Sequence, residues 1–200
     1  MDYDIAITPD GARAVLPNLS PANCTQSGID IVNIASGAVA FVNLSTSGVP
    51  YGVAILPNGT QALITTYNLT TSIKTVSLAT SAVGTITGVG DSYAVAVTPD
   101  NATALVTSGN DIKRITLATG AIAATIVYTA NASYRHIAIT PDGTKAVVVG
   151  IGDVAIISLA DNTILAKYPI SGGNVAIAPD GKTALITDGS NGRLGVIRIP

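Results

Sequence analysis

The chain has no tryptophan and, in 200 residues, only one phenylalanine, one methionine, one histidine and one cysteine. Each scarcity removes a class of explanation. The lone Cys24 leaves no internal disulfide and no cysteine-based zinc cluster. Charged residues make up 11% of the chain, against roughly a quarter of an ordinary soluble domain, so something other than charge must keep it in solution. The formal net charge is −2 and the few Lys and Arg form no basic stripe, so neither nucleic acid nor an anionic membrane surface is an expected partner. Long hydrophobic runs are missing too. The most apolar stretch, Val147 to Ala160, is 14 residues long and contains Asp153, short of the roughly 18 residues of a membrane span. No transmembrane segment is expected. The start at Met1-Asp2-Tyr3 leaves no room for a signal peptide ahead of the first strand, so the sequence reads either as cytosolic or as a mature or excised segment.

What the chain does have is a phrase repeated five times. It reads Ile5-Ala6-Ile7-Thr8-Pro9-Asp10-Gly11, then Val53 to Gly59, Val95 to Asn101, Ile137 to Gly143 and Val175 to Gly181, with the prolines 48, 42, 42 and 38 residues apart. A period near 40 built from short strands predicts a β-propeller. Each phrase ends in a Pro-Asp-Gly type turn, where Pro presets φ, Asp caps locally and Gly accepts a positive φ. A second apolar run follows, as in Ala62-Leu63-Ile64-Thr65 and Ala184-Leu185-Ile186-Thr187, which makes a hairpin. A third strand ends in a recurrent turn, seen as Ile34-Ala35-Ser36-Gly37, Leu78 to Ser81, Leu117 to Gly120 and Leu159 to Asn162, and a fourth strand such as Ala121 to Val127 completes the unit. The expectation is therefore an all-β propeller of five repeats, each of about four antiparallel strands, with blades at 1–48, 49–90, 91–131, 132–171 and 172–200. Ala, Val and Ile at both alternating positions of the first strand predict burial on both of its faces, and a core of small β-branched residues predicts close sheet-to-sheet packing.

These units resemble the YVTN-type β-propeller repeat, common in surface-layer and other exported proteins, over nearly the whole chain. The strand-turn phrase matches well, while the second strand gives Leu-Val-Thr-Ser (105 to 108) or Leu-Ile-Thr-Thr (63 to 66) in place of Tyr-Val-Thr-Asn. The resemblance implies a β-propeller at a cell surface or outside the cell.

The last repeat stops at its third strand, Leu194 to Pro200, which leaves an edge open to pairing with another chain. The alternative readings are an excerpt of a longer propeller and a three-stranded last blade. Seven Asn-x-Ser/Thr sequons occur, at Asn18, Asn23, Asn43, Asn58, Asn68, Asn101 and Asn131. Chance predicts roughly two, given 12 Asn and Ser or Thr at 38 of 200 positions. The sequence places Asn58 and Asn101 in hairpin turns, Asn18, Asn23 and Asn68 in second-to-third-strand loops, Asn43 at a strand end and Asn131 between blades. N-linked glycan at these sites would be bulky and hydrated and would account for the low charge; the competing reading is that Asn and Thr are simply turn and strand residues. Because all seven lie in blades one to three or the connection into blade four, self-association or a flanking segment is expected at blades four and five and the 194–199 edge.

Chemistry is sparse. Gly150-Ile151-Gly152-Asp153 mimics part of a dinucleotide fingerprint, but the repeat register makes it an inter-strand loop leading into another strand rather than a helix. Five residues before the anchor prolines stand Asp4, Gly52, Ala94, His136 and Asn174, so a closed ring would gather Asp4, His136 and Asn174 at one channel mouth beside Arg135. Tyr3, Tyr51 and Tyr93, one position earlier, could stack on sugar rings or serve as an amphipathic rim. These residues are the candidate small-ligand or carbohydrate site. No nucleophile and base, metal-ligand cluster or carboxylate pair has a spacing that stands out, so neither catalysis nor a cofactor is expected beyond covalent N-linked glycan. The reading is an extracellular, glycosylated structural or adhesive protein of a surface layer, sheath or fibre, with a ligand-binding module as the alternative.

Overall fold

A computed structural model describes residues 4–19, 27–45, 48–67, 72–127, 134–188 and 192–200, and among them all regular structure is strand. Sheet one holds β1 (Ala6–Ile7), β2 (Arg13–Leu19), β3 (Ser27–Asn33) and β4 (Val39–Asn43). Sheet two holds β5 (Val49–Ile55), β6 (Gln61–Tyr67), β7 (Ser72–Ser77) and β8 (Val83–Thr87). Sheet three holds β9 (Val95–Val97), β10 (Thr103–Ser108), β11 (Asp111–Thr116) and β12 (Ala121–Val127). Sheet four holds β13 (Tyr134–Ile139), β14 (Lys145–Gly150), β15 (Asp153–Ser158) and β16 (Ile164–Tyr168), and sheet five only β17 (Val175–Ile177), β18 (Thr183–Asp188) and β19 (Arg193–Arg198). Every sheet is an antiparallel meander in chain order. Gly150 and Asp153 close a hairpin between β14 and β15, which disposes of the dinucleotide-like segment. No helix is long and apolar enough to cross a membrane among the described residues.

The first hairpin is built the same way in three sheets. The Thr140 hydroxyl donates to Asp142 Oδ1 at 2.5 Å and accepts the Lys145 N–H at 3.0 Å, while Asp142 Oδ1 accepts the Thr144 N–H at 3.0 Å. Thr8 with Asp10, and Thr98 with Asp100, repeat these contacts. Hydrogen bonds from the threonine hydroxyls lead in holding all three carboxyls below their ordinary range, Asp142 at about 2. The turn aspartates are thus explained by local structure, and the recurring glycine position takes a positive φ, including 59° at Asn101 where the residue is not glycine.

Register makes the five units directly comparable. Ala6, Ala54, Ala96, Ala138 and Ala176 pair with Val15, Leu63, Leu105, Val147 and Leu185. One position on, Ile7, Ile55, Val97, Ile139 and Ile177 pair with Ala14, Ala62, Ala104, Ala146 and Ala184. The first set faces the next sheet in the chain and the second set faces the preceding one. Four apolar clusters result, each shared by two consecutive sheets: Val15 and Ile29 with Ile64 and Val76, Leu63 and Ile73 with Val106 and Ile115, Leu105 and Ile112 with Val148 and Ile157, and Val147 and Ile156 with Ile186 and Ile197. Each fully buried Leu or Ile contributes about 1.5–3 kcal/mol. Among the described residues every buried side-chain nitrogen and oxygen has a hydrogen-bond partner.

Among the described residues the first and fifth sheets share no such cluster. The expectation that every first strand is buried on both faces is met only in part. The apolar residues of the first strands of sheets two to four are buried or half-buried, and Ala176 in sheet five is exposed. Ile5 and Ile7 are 60% and 59% exposed, because no sheet among the described residues lies against their side. Among the described residues, sheets one to five form a consecutive stack whose main contacts are between neighbours.

Candidate functional site

The starts of the first strands lie together because threonines at the ends of the second strands tie them down. The Thr65 hydroxyl accepts the Gly52 N–H at 2.7 Å and donates to the Tyr93 carbonyl of the next sheet at 3.0 Å. Thr107 accepts the N–H of Tyr93 and of Ala94 at 3.1 and 2.9 Å, and Thr187 accepts that of Asn174 at 2.9 Å. A side chain at Gly52 would collide with the Tyr93 carbonyl oxygen, so the second and third sheets approach closely here.

This closeness assembles an aromatic cluster. Tyr51 meets Tyr93 edge-on with ring centroids 5.2 Å apart, Tyr67 stacks on Tyr93 at 4.8 Å, and the Arg135 guanidinium carbon lies 5.8 Å from the centre of the Tyr93 ring. Burial, together with the Tyr67 contact, pushes the Tyr93 phenol up to about 12. It therefore stays protonated, and any sugar or polar ligand here would meet a neutral hydroxyl beside a guanidinium. Asp4 is brought to the same end: its backbone N–H points to the Tyr51 carbonyl at 3.5 Å. Burial raises the Asp4 carboxyl, against the opposing effects of the Ile5 N–H and of the charge on nearby His136.

Five of the sequence-predicted residues, Tyr51, Tyr93, Arg135, Asp4 and His136, are thus neighbours. Asn174, tied to Thr187 in the same way, lines a shallow depression of about 350 Å³ on the outward side of sheet five, with Val175, Ala176, Leu185, Thr187 and Leu194. Tyr3 lies outside the described residues. Tyr67 is the residue that sequence reasoning missed: it ends a second strand opposite Val49, and alignment on the first strands does not bring it into line with Tyr51 and Tyr93. Among the described residues no three His, Cys, Asp or Glu side chains are grouped to hold a metal ion.

The sequons divide. Asn58 is exposed, and its Oδ1 accepts the Thr60 N–H at 3.0 Å and the Thr60 hydroxyl at 2.7 Å, leaving Nδ2 for a sugar. The half-buried Asn101 receives the Asn58 N–H on its Oδ1 at 2.9 Å, joining two hairpin turns. Asn43 is exposed at the end of β4 and accepts the Ser45 N–H at 2.7 Å. Asn18 corrects the sequence reading: it lies inside β2, not in a loop, paired with Gly28. Its Nδ2, the atom that would carry a sugar, donates to Asp30 Oδ2 at 2.7 Å. The strand runs on because Leu16, Pro17 and Asn18 find partners in β3. Asn23, Asn68 and Asn131 lie outside the described residues.

No family model and no curated protein matches the chain. Among solved structures it is similar to a chain of Kuenenia stuttgartiensis hydrazine synthase, with a TM-score of 0.79 and 20% identity over 99% of this chain. The chain spans 65% of that chain's length. At this identity the likeness is one of fold.

Proposed function

We propose that the protein is an extracellular, N-glycosylated structural or adhesive subunit of a surface layer, sheath or fibre, its five sheets being blades of a β-propeller arc and its role one of assembly rather than catalysis. The observation that carries this reading is the pair of end sheets. Sheet one exposes Ile5, Ile7, Val39 and Phe41, and sheet five exposes Leu185, Leu194 and Val196. By register the residues named on each sheet share one face, and exposed apolar side chains gathered on one face mark an interaction site. The outer strand of sheet five, β19, supports it further, since nothing among the described residues pairs with its far side. The period near 40 residues and the stack of antiparallel meanders support the propeller reading. The threefold excess of sequons supports glycosylation, with Asn43 and Asn58 the sites best placed to carry glycan and Asn18 the worst. Intact mass of protein from its natural source, before and after enzymatic deglycosylation, tests the extracellular half of this reading. Loss of several glycan masses is expected, and unmodified asparagine at all seven sequons would refute it.

The Tyr51, Tyr67, Tyr93 and Arg135 cluster favours a second reading, a carbohydrate- or small-ligand-binding module. Tyrosine rings beside a guanidinium offer apolar faces and directed donors to a sugar. Titration with mono- and oligosaccharides, read by tyrosine fluorescence, should then show saturable binding that Tyr67→Ala abolishes; a flat response in the unmodified protein removes this reading.

A further inference from the structure

The two apolar end faces are not merely both sticky; by register they are the two halves of the contact that joins every internal pair of sheets. In each internal joint one sheet offers an Ala of its first strand and a Leu or Val of its second: Ala6 with Val15, Ala54 with Leu63, Ala96 with Leu105, Ala138 with Val147. Sheet five offers Ala176 and Leu185 in the same places, flanked by Val196 opposite Leu185, and nothing among the described residues covers them. The receiving sheet of each joint offers two β-branched residues of its first strand: Val53 and Ile55, Val95 and Val97, Ile137 and Ile139, Val175 and Ile177. Sheet one offers Ile5 and Ile7 there, and nothing among the described residues covers these either.

A polar feature found at two of the four joints is also split between the two ends. Arg13 of sheet one donates to the Leu78 carbonyl of sheet two, and Arg114 of sheet three donates to the Leu159 carbonyl of sheet four at 2.5 Å. Leu78 and Leu159 hold one repeat position, defined by an N–H donated back to the residue before the second strand, and Ile34 holds it in sheet one. On sheet five the exposed Arg198 pairs with Thr183, the residue standing where Arg13 stands in sheet one. Arginine and acceptor carbonyl are thus both present, at opposite ends of the chain.

The geometry points to a second copy of this chain as the occupant: sheet one of one copy docks on sheet five of the next, head to tail, repeating the internal joint with Ile5 and Ile7 over Ala176 and Leu185 and with Arg198 near the Ile34 carbonyl. This deepens, and rests on, the reading of the chain as an assembling subunit; it places the contact on the sheet faces rather than on the β19 edge. A head-to-tail contact that does not close into a ring gives linear assembly.

Two variants block one half each: Leu185→Asp on sheet five and Ile7→Asp on sheet one, both at exposed positions, with Val196→Lys and Phe41→Lys as replacements if either lowers the thermal midpoint. Mass is read by sedimentation equilibrium at about 100 μM, well above the micromolar Kd of a modest protein contact. The unmodified chain is expected to form a concentration-dependent series of masses and each variant alone to remain a single copy. The equal mixture should form a dimer and nothing larger, because only one intact pair of faces remains. An unmodified chain that assembles while the variants assemble equally well, or a mixture that stays monomeric, overturns the head-to-tail contact and leaves the assembly reading standing. An unmodified chain that remains a single copy overturns both.

Discussion

Ala62-Leu63-Ile64-Thr65 in sheet two and Ala184-Leu185-Ile186-Thr187 in sheet five are the same four residues in the same strand position, yet Leu63 is 1% exposed and Leu185 41%. Their inward neighbours, Ile64 and Ile186, are both fully buried against the preceding sheet. The difference therefore lies wholly on the side that faces the next sheet. An internal repeat and a terminal one carry identical local instructions, and what decides whether an apolar face is core or surface is the presence of a neighbour. In a stacked-repeat protein that neighbour need not belong to the same copy.

The largest expected contrast is between the two leucines. Leu63→Ala should destabilise the chain by about 2–5 kcal/mol, since it opens a cavity in a packed joint, whereas Leu185→Ala in dilute solution should cost about 1 kcal/mol or less. Chemical denaturation of both variants checks this, and equal losses would mean that sheet five is covered in the isolated chain.

A second contrast uses the hairpin turn. Thr140→Val removes a hydroxyl that bridges Asp142 and Lys145 and should cost about 1–2 kcal/mol. In sheet five the same position is Ala178, while Asp180 still accepts the Lys182 N–H at 2.9 Å. Ala178→Thr should supply the missing bridge and stabilise by less than about 1 kcal/mol. Opposite signs in the two thermal midpoints would sharpen the comparison, and a loss at both positions would break it.

Smaller still is the effect at the third-to-fourth-strand turn, where Gly37 and Gly120 take a positive φ and Ser81 is forced to 60°. Ser81→Gly should relieve left-handed strain and stabilise by up to about 1 kcal/mol, with no matching gain available in sheets one and three. Denaturation midpoints decide this as well.

The smallest effect is the pH dependence of the exposed turn carboxylates. With its pKa lowered to about 2, chiefly by the Thr140 hydroxyl and then by the Thr144 N–H, Asp142 stabilises the fold above the unfolded carboxyl's value near 4. That contribution is lost as pH falls from about 4 to about 2. The thermal midpoints of the parent and of Asp142→Asn should differ at pH 7 and converge toward pH 2; a gap unchanged across that window would contradict the hydrogen-bonded turn.

Strands and hairpins were legible in the sequence because the chemistry that makes them is local. Pro, Asp and Gly at adjacent positions specify the turn, and alternating Ala and β-branched residues specify a strand with two apolar faces. The site was less legible for reasons that are non-local. Tyr67 reaches Tyr93 from a second strand, so aligning first strands does not find it. Asn18 sits in a strand because β3 continues beside it, which its own residues do not announce. Asn174 shares a repeat position with Asp4 and His136, and its sequence does not announce that it also lines a depression on the outward side of sheet five. The exposure of Ile5, Ile7 and Leu185 has no local signature at all, since the same phrase is buried or half-buried in the repeats between.

The most direct test of the account is electron cryomicroscopy of native material. Head-to-tail rows are predicted, with the sheet-one face bearing Ile5 and Ile7 seated on the sheet-five face bearing Leu185 and Val196. Isolated copies with solvent against both faces, or copies joined only through sheets two and three, would contradict it.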